Sequence, residues 1–308
     1  MRGGSATVTP VTKSGYRNQV PDNLAEPGSV KTAYRRTSMP TPVVSVHPIA
    51  LTRPVRVSAP VTGTGLPVIV FSHGFGQSAR GYEPLAAYWA AHGFVVVQPT
   101  HLDSRTLNRP LTDDVWRIRI DDLKEAIDRL DELEAAMPGL ANRVDHSRIA
   151  VAGHSWGAQT ASTLLGARTP SGEDFTDKRV SAGVLLALTG KGGDDLTPFA
   201  AEHFPFMSPD FEHMETPALI VAGDHDQSAL SVRGPDWFTD AYHLSPGPKH
   251  LLTLFGAEHS LGGISGYESA ETTDENPERV ALIQRLTTAY LRGEPLDADG
   301  ALGSLAAK

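Results

Sequence analysis

Six short apolar runs constrain this chain more than any other feature. They lie at 67–71, 94–97, 148–152, 182–186, 218–221 and 251–255. Each is continuous rather than alternating, so both faces of the strand it forms are apolar. Such strands need cover on both sides, as in a parallel sheet between two helix layers. Helical patterns fill the gaps. Residues 82–92 are Ala-rich and end at Gly93, a suitable left-handed cap. Residues 113–137 predict one long amphipathic helix, with Val115, Ile118, Ile127, Leu130 and Met137 near one face and Arg117 paired with Asp121 on the other. Pro138-Gly139 stops it. A third helix is expected over 156–167, and a last one over 278–292, started by Asn276-Pro277 and ended by Gly293.

Strand and helix in alternation predict a doubly wound α/β fold. Two earlier runs, 43–50 and 53–59, predict an antiparallel pair, giving an eight-stranded, mostly parallel sheet. Residues 1–30 are rich in Gly, Ser, Thr, Pro and Asn and read as a flexible arm. The remainder, 31–308, reads as a single domain. Within it 189–217, rich in Gly, Pro, Phe and His, forms a cap-like excursion after the sixth strand.

Composition removes several function classes. The chain has no cysteine, which excludes disulfides, thiolate metal sites and a cysteine nucleophile. Its net charge of -9 argues against a nucleic-acid surface, which needs a basic patch. The run 184–188 is far short of the ~18 to 20 apolar residues that span a bilayer. The N-terminal residues lack the apolar stretch of a signal peptide. A cytoplasmic location is the expectation, with a secreted mature form as the alternative. Oligomeric state has no signal here.

One motif carries chemistry. Gly153-His154-Ser155-Trp156-Gly157 follows a predicted strand and opens a predicted helix. That context is required of a nucleophile elbow, which lifts a serine hydroxyl off the sheet edge. The alternative is a tight turn with Ser155 capping the helix. A serine needs a base, and the base an orienting acid, in chain order serine, acid, histidine. The strand 218–221 ends in Gly223-Asp224-His225-Asp226, and either aspartate is a candidate acid. His259 follows the last strand and is the candidate base. Metal binding by Asp224, His225 and Asp226 is disfavoured, because adjacent residues rarely point at one ion.

Of the other histidines, His47, His92, His146 and His213 read as structural or solvated. His250 precedes its strand, at the wrong sheet edge. His73 and His154 read as braces of their loops, and His101, His203 and His243 have no assigned role. Backbone N–H groups of Trp156 and of Phe75, in the loop 72–78, are the expected oxyanion donors. Trp156 and Phe75, with Phe199, Phe204, Phe206, Met207 and Phe211, are candidates for an apolar pocket wall. For the last five, ordinary core packing is an equal alternative. The stretch 261–267 either lines the same cleft or loops to the last helix.

Over 42–292 the sequence resembles the α/β-hydrolase superfamily. The motifs at 71–76, 91–99 and 153–157 are most similar to the group of chlorophyllases, platelet-activating-factor acetylhydrolases, dienelactone hydrolase-like esterases and PET-degrading cutinases. The resemblance implies the α/β-hydrolase fold and a Ser–His–Asp esterase acting on small-molecule esters with apolar groups. It selects Asp226 as the acid, three residues beyond the glycine, and leaves Asp224 to brace the loop. No cofactor or metal is implied. The chain departs from dienelactone hydrolases in having serine rather than cysteine, and from cutinases in having Trp156 where methionine is usual. An amidase or peptidase, a polyester or lipid ester hydrolase, and a non-catalytic binding protein on this scaffold are the alternative readings.

Overall fold

The computed structural model describes residues 40–266 and 272–308, so the arm expected over 1–30 lies outside the described residues. The strands are β1 (Val43–Ala50), β2 (Pro54–Pro60), β3 (Leu66–Ser72), β4 (Val95–Pro99), β5 (Val144–His154), β6 (Val180–Leu186), β7 (Ala218–Gly223), β8 (Lys249–Leu254) and β9 (Gly303–Ala307). The helices are α1 (Glu83–Ala91), α2 (Val115–Asp128), α3 (Leu130–Ala136), α4 (Trp156–Leu164), α5 (Pro198–His203), α6 (Asp240–Leu244) and α7 (Pro277–Leu291). All the strands join one sheet in the order β1-β2-β4-β3-β5-β6-β7-β8-β9. Strands β3 to β8 pair in parallel with one another, while β1, β2 and β9 run antiparallel to their neighbours.

The continuous apolar runs follow from two cores. Val68, Val70, Val151, Leu185 and Ile220 pack on one face, with Ile120 and Leu123 of α2 and Ala161 and Leu164 of α4. Ile69, Phe71, Val184, Leu219 and Leu252 pack on the other, with Trp89 of α1 and Ile283 of α7. Successive residues of a strand alternate between the faces, so both sets must be apolar. Each such side chain, fully enclosed, contributes about 1.5–3 kcal/mol. Helix α7 starts where expected: Asn276 Oδ1 accepts the Arg279 N–H at 3.0 Å, and Pro277 occupies the first turn.

Three details differ from expectation. The sheet has nine strands rather than eight, because the tail returns as β9 along β8 and pairs Leu305 with Leu252. The long helix is two, α2 and α3, broken at Arg129, whose ψ of 25° leaves the helical region. The break turns the chain so that Ile127, Leu130 and Leu133 all stay in the core. Arg117 pairs with Glu173 rather than with Asp121. Among the described residues, no helix is long and apolar enough to cross a membrane.

The chain leaves β3 for β4 on one side and returns to β5 on the other. The loops after β3 and β5 therefore diverge at the carboxyl edge of the sheet. In open α/β sheets a binding crevice forms at such a switch point.

Candidate active site

Ser155 occupies the sharp turn between β5 and α4, with φ 56° and ψ -126°. A side chain held there stores on the order of 1–3 kcal/mol of strain. Its N–H donates to the Leu186 carbonyl at 2.9 Å, and its own carbonyl accepts from Ala158 at 2.9 Å. The two flanking glycines permit the turn. A Cβ at Gly153 would overlap the backbone of Gly157, and one at Gly157 would overlap the Ser72 carbonyl.

Three strand ends converge on this serine. His259, beyond β8, places Nε2 2.8 Å from Ser155 Oγ. Its Nδ1 lies 3.1 and 3.0 Å from the two carboxylate oxygens of Asp226, beyond β7. An ionised carboxylate only accepts, so Nδ1 carries the proton and Nε2 accepts from the serine hydroxyl. The Asp226 side chain is fully enclosed, while that of His259 is 40% exposed. Burial pushes the Asp226 carboxyl above its ordinary value, and the His259 hydrogen bond pulls it back. Asp224 turns away from the histidine, and its Oδ1 accepts the Gly256 N–H at 2.6 Å. The two aspartates thus have different partners.

His154 links the elbow to two other loops. Its Nε2 donates to the His259 carbonyl at 2.8 Å, and its Nδ1 accepts from the Tyr82 hydroxyl at 2.8 Å. The same hydroxyl oxygen accepts the Gly74 N–H at 3.2 Å. Burial, reinforced by His259, pushes His154 down to about 3 and keeps it neutral. Tyr82 escaped the sequence reading because it stands at the start of a helix with no polar pattern around it.

Phe75 sits in the loop after β3, and its ring tilts over Trp156 at 5.5 Å. The N–H groups of Phe75 and Trp156 have no acceptor among the described residues. Beneath the loop lies a buried polar cluster that sequence reasoning missed. Arg119 of α2 is completely enclosed and pairs with Asp103. It also donates to the His73 carbonyl, to Thr160 Oγ1 at 3.2 Å and to Ser72 Oγ at 3.3 Å. Burial alone would raise Asp103, but the Arg119 guanidinium, helped by the Gly76 N–H, holds it at about 2. His101, without a role in the sequence, bonds Ser72 Oγ through Nε2 at 2.8 Å and Asp122 through Nδ1 at 2.9 Å. Burial keeps His73 and His101 far below the ordinary histidine value. It also lifts Asp122 to about 7 against the pull of Arg53 and Arg119.

An apolar cleft of about 380 Å³ opens beside the elbow. Phe75, Trp116, Trp156, Phe204 and Phe206 wall it, with Asp113 and Glu202 also in the lining. Phe206 stacks on Trp156 at 5.1 Å. Of the other aromatic candidates, Phe211 is core, and Phe199 is exposed and stacks on His203. Met207 is buried in a small cluster with Val115 and Trp156. The described part of the Gly-rich stretch turns away from this cleft. Leu261 and Ile264 enter the core, while Gly262 and Gly263 line a recess against α7. A polar cavity of about 550 Å³ is lined by His259 together with His225, Gln227 and Glu258.

Comparison with known proteins agrees with this architecture. The chlorophyllase family model matches residues 25–173, which include Phe75, Arg119 and Ser155 and stop short of Asp226 and His259. Chlorophyllase-1 of Arabidopsis thaliana is 23% identical over 217 residues, covering 68% of this chain and 63% of that protein. Platelet-activating factor acetylhydrolase of Bos taurus is 23% identical over 221 residues, covering 56% of this chain and 47% of that protein. The chain thus spans less than two thirds of the length of either relative.

Proposed function

We propose that the chain is a serine esterase of the α/β-hydrolase kind that cleaves carboxylic esters through an acyl-enzyme. The observation that carries this reading is the unbroken series of hydrogen bonds from Ser155 through His259 to the enclosed Asp226. In the first step Ser155 Oγ bonds to the ester carbonyl carbon while its proton passes to His259 Nε2. The carbonyl oxygen becomes an oxyanion, for which the Phe75 and Trp156 N–H groups are the donors. The carbon–oxygen bond to the alcohol then breaks, and His259 returns the proton to the departing alkoxide. Water, deprotonated by the same histidine, attacks the acyl-enzyme and releases the acid and free Ser155. Asp226 keeps the imidazole in the required tautomer and offsets its charge when protonated.

The aromatic cleft favours an ester with a sizeable uncharged group. Its walls offer stacking faces, and Asp113 and Glu202 repel an anionic one. Two measurements test the function together. Wild-type protein is expected to hydrolyse p-nitrophenyl butyrate and to take one diisopropylphosphoryl group on Ser155, located by mass spectrometry. Ser155→Ala is expected to lose both while staying folded. An adduct on another serine, with Ser155 free, would overturn the assignment. Phe206→Ala is expected to raise KM about tenfold for a phenylbutyrate ester and to leave the acetate ester unchanged. Equal effects on the two would remove the cleft from the reading.

A further inference from the structure

We propose that Arg119 is a positioning residue that sets the spacing of the two oxyanion donors, by joining the loop after β3 to the first turns of α4. The inference rests on the serine-esterase reading above. The steps above do not use Arg119. A fully enclosed guanidinium is costly to desolvate, and a buried ion pair adds little stability over an apolar replacement. Stability alone therefore gives no reason for Arg119 and Asp103 to lie here.

Their contacts give one. The two donors belong to different segments, so the local chain does not fix their separation. Arg119 touches both segments through one rigid, planar group. On the loop side it donates to the His73 carbonyl, and its partner Asp103 accepts the Gly76 N–H at 3.0 Å. These two contacts hold the backbone on either side of Phe75. On the helix side Nε donates to Thr160 Oγ1, and the guanidinium lies 4.7 Å from the centre of the Trp156 ring. Oxyanion donors work only within about 2.7–3.1 Å of the developing charge, so a small change in their spacing costs rate.

A second Ser–His–Asp series supports the clamp. Ser72, His101 and Asp122 repeat the order of hydrogen bonds seen at Ser155. All three are enclosed, so no substrate reaches Ser72. With His101 Nδ1 donating to Asp122, Nε2 accepts the Ser72 proton. The Ser72 oxygen is then turned to accept from Arg119. A catalytic-looking triad serves here to orient a hydroxyl against the guanidinium.

Arg119→Lys keeps the charge and removes the fork. With active sites counted by titration, kcat for p-nitrophenyl butyrate is expected to fall about 30- to 300-fold while KM stays within about threefold. Affinity for a trifluoromethyl ketone, which forms an oxyanion on Ser155, is expected to fall by the same factor as kcat/KM. The matching secondary alcohol, which forms none, is expected to bind as before. A merely structural arginine would lower thermal stability and leave kcat per titrated site and the ketone affinity unchanged. Where Arg119→Lys fails to fold, Asp103→Asn and Thr160→Val each remove one contact. Smaller, parallel losses in kcat and ketone affinity are then expected. Unchanged values in every folded variant would overturn the inference alone. Wild-type protein that neither hydrolyses the ester nor labels at Ser155 would overturn the function, and this inference with it.

Discussion

The two aspartates after β7 differ in what each oxygen accepts. Asp226 accepts from His259, and Asp224 from the Gly256 backbone. Asp226→Asn would present an amide N–H to His259 Nδ1, driving the proton to Nε2 and blocking transfer from Ser155. A loss of about 10⁴ in kcat is expected, as for the same change in a serine protease. Asp224→Asn retains an oxygen for Gly256 and is expected to stay within about tenfold of wild type. Steady-state hydrolysis of a simple ester by folded protein checks the pair, and the reverse ranking would show that Asp224 orients the base. At this scale, Ser155 and His259 were legible because each follows a strand end in the required order. Asp226 was legible only through resemblance, since both aspartates fit the spacing. Arg119 was illegible. On a helix rich in Asp, Glu and Arg it reads as one more surface charge, and only the packing of α2 on α4 encloses it.

Elements were legible where a single physical signal covers their whole length. The central strands carry continuous apolar runs because two cores demand them. Helix α7 carries its own cap. Strand β9 has no such signal: Gly303 to Ala307 is short and made largely of small residues, and it becomes a strand only because β8 offers it an edge. The break at Arg129 was hidden because α2 and α3 continue one helical pattern. The pairing of β9 has a measurable consequence. It satisfies β8 backbone groups from His250 to Leu254 and covers an otherwise open edge. Deleting residues 301–308 is expected to lower Tm by several degrees and to promote association at high concentration. Differential scanning calorimetry and sedimentation check this. An unchanged Tm with a monomeric product would mean that β9 contributes nothing to the sheet.

Across the whole molecule, buried titratable groups near the site predict how stability responds to acid. His73, His101 and His154 are held neutral in the folded protein, chiefly by burial. Their folded values are depressed, so their stabilising effect is complete above the unfolded value of about 6.5 and is lost as pH falls below it. Asp122 acts in the opposite sense. Burial raises it to about 7, so between about pH 4 and 7 the folded state holds a proton that the unfolded chain has released. Near pH 5 the three histidines favour proton uptake on unfolding, and Asp122 opposes it. With three histidines against one carboxyl, stability is expected to fall as pH drops through 5. His101→Gln, if it folds, is expected to make the profile shallower, since it removes one of the three histidines. Urea denaturation at pH 5.0, 5.5, 6.0 and 7.0 measures the slope directly. A flat profile over that range would mean that these histidines are already protonated in the folded protein. The oxyanion loop, held by the His73 and His101 contacts, would then rest on charged rather than neutral imidazoles.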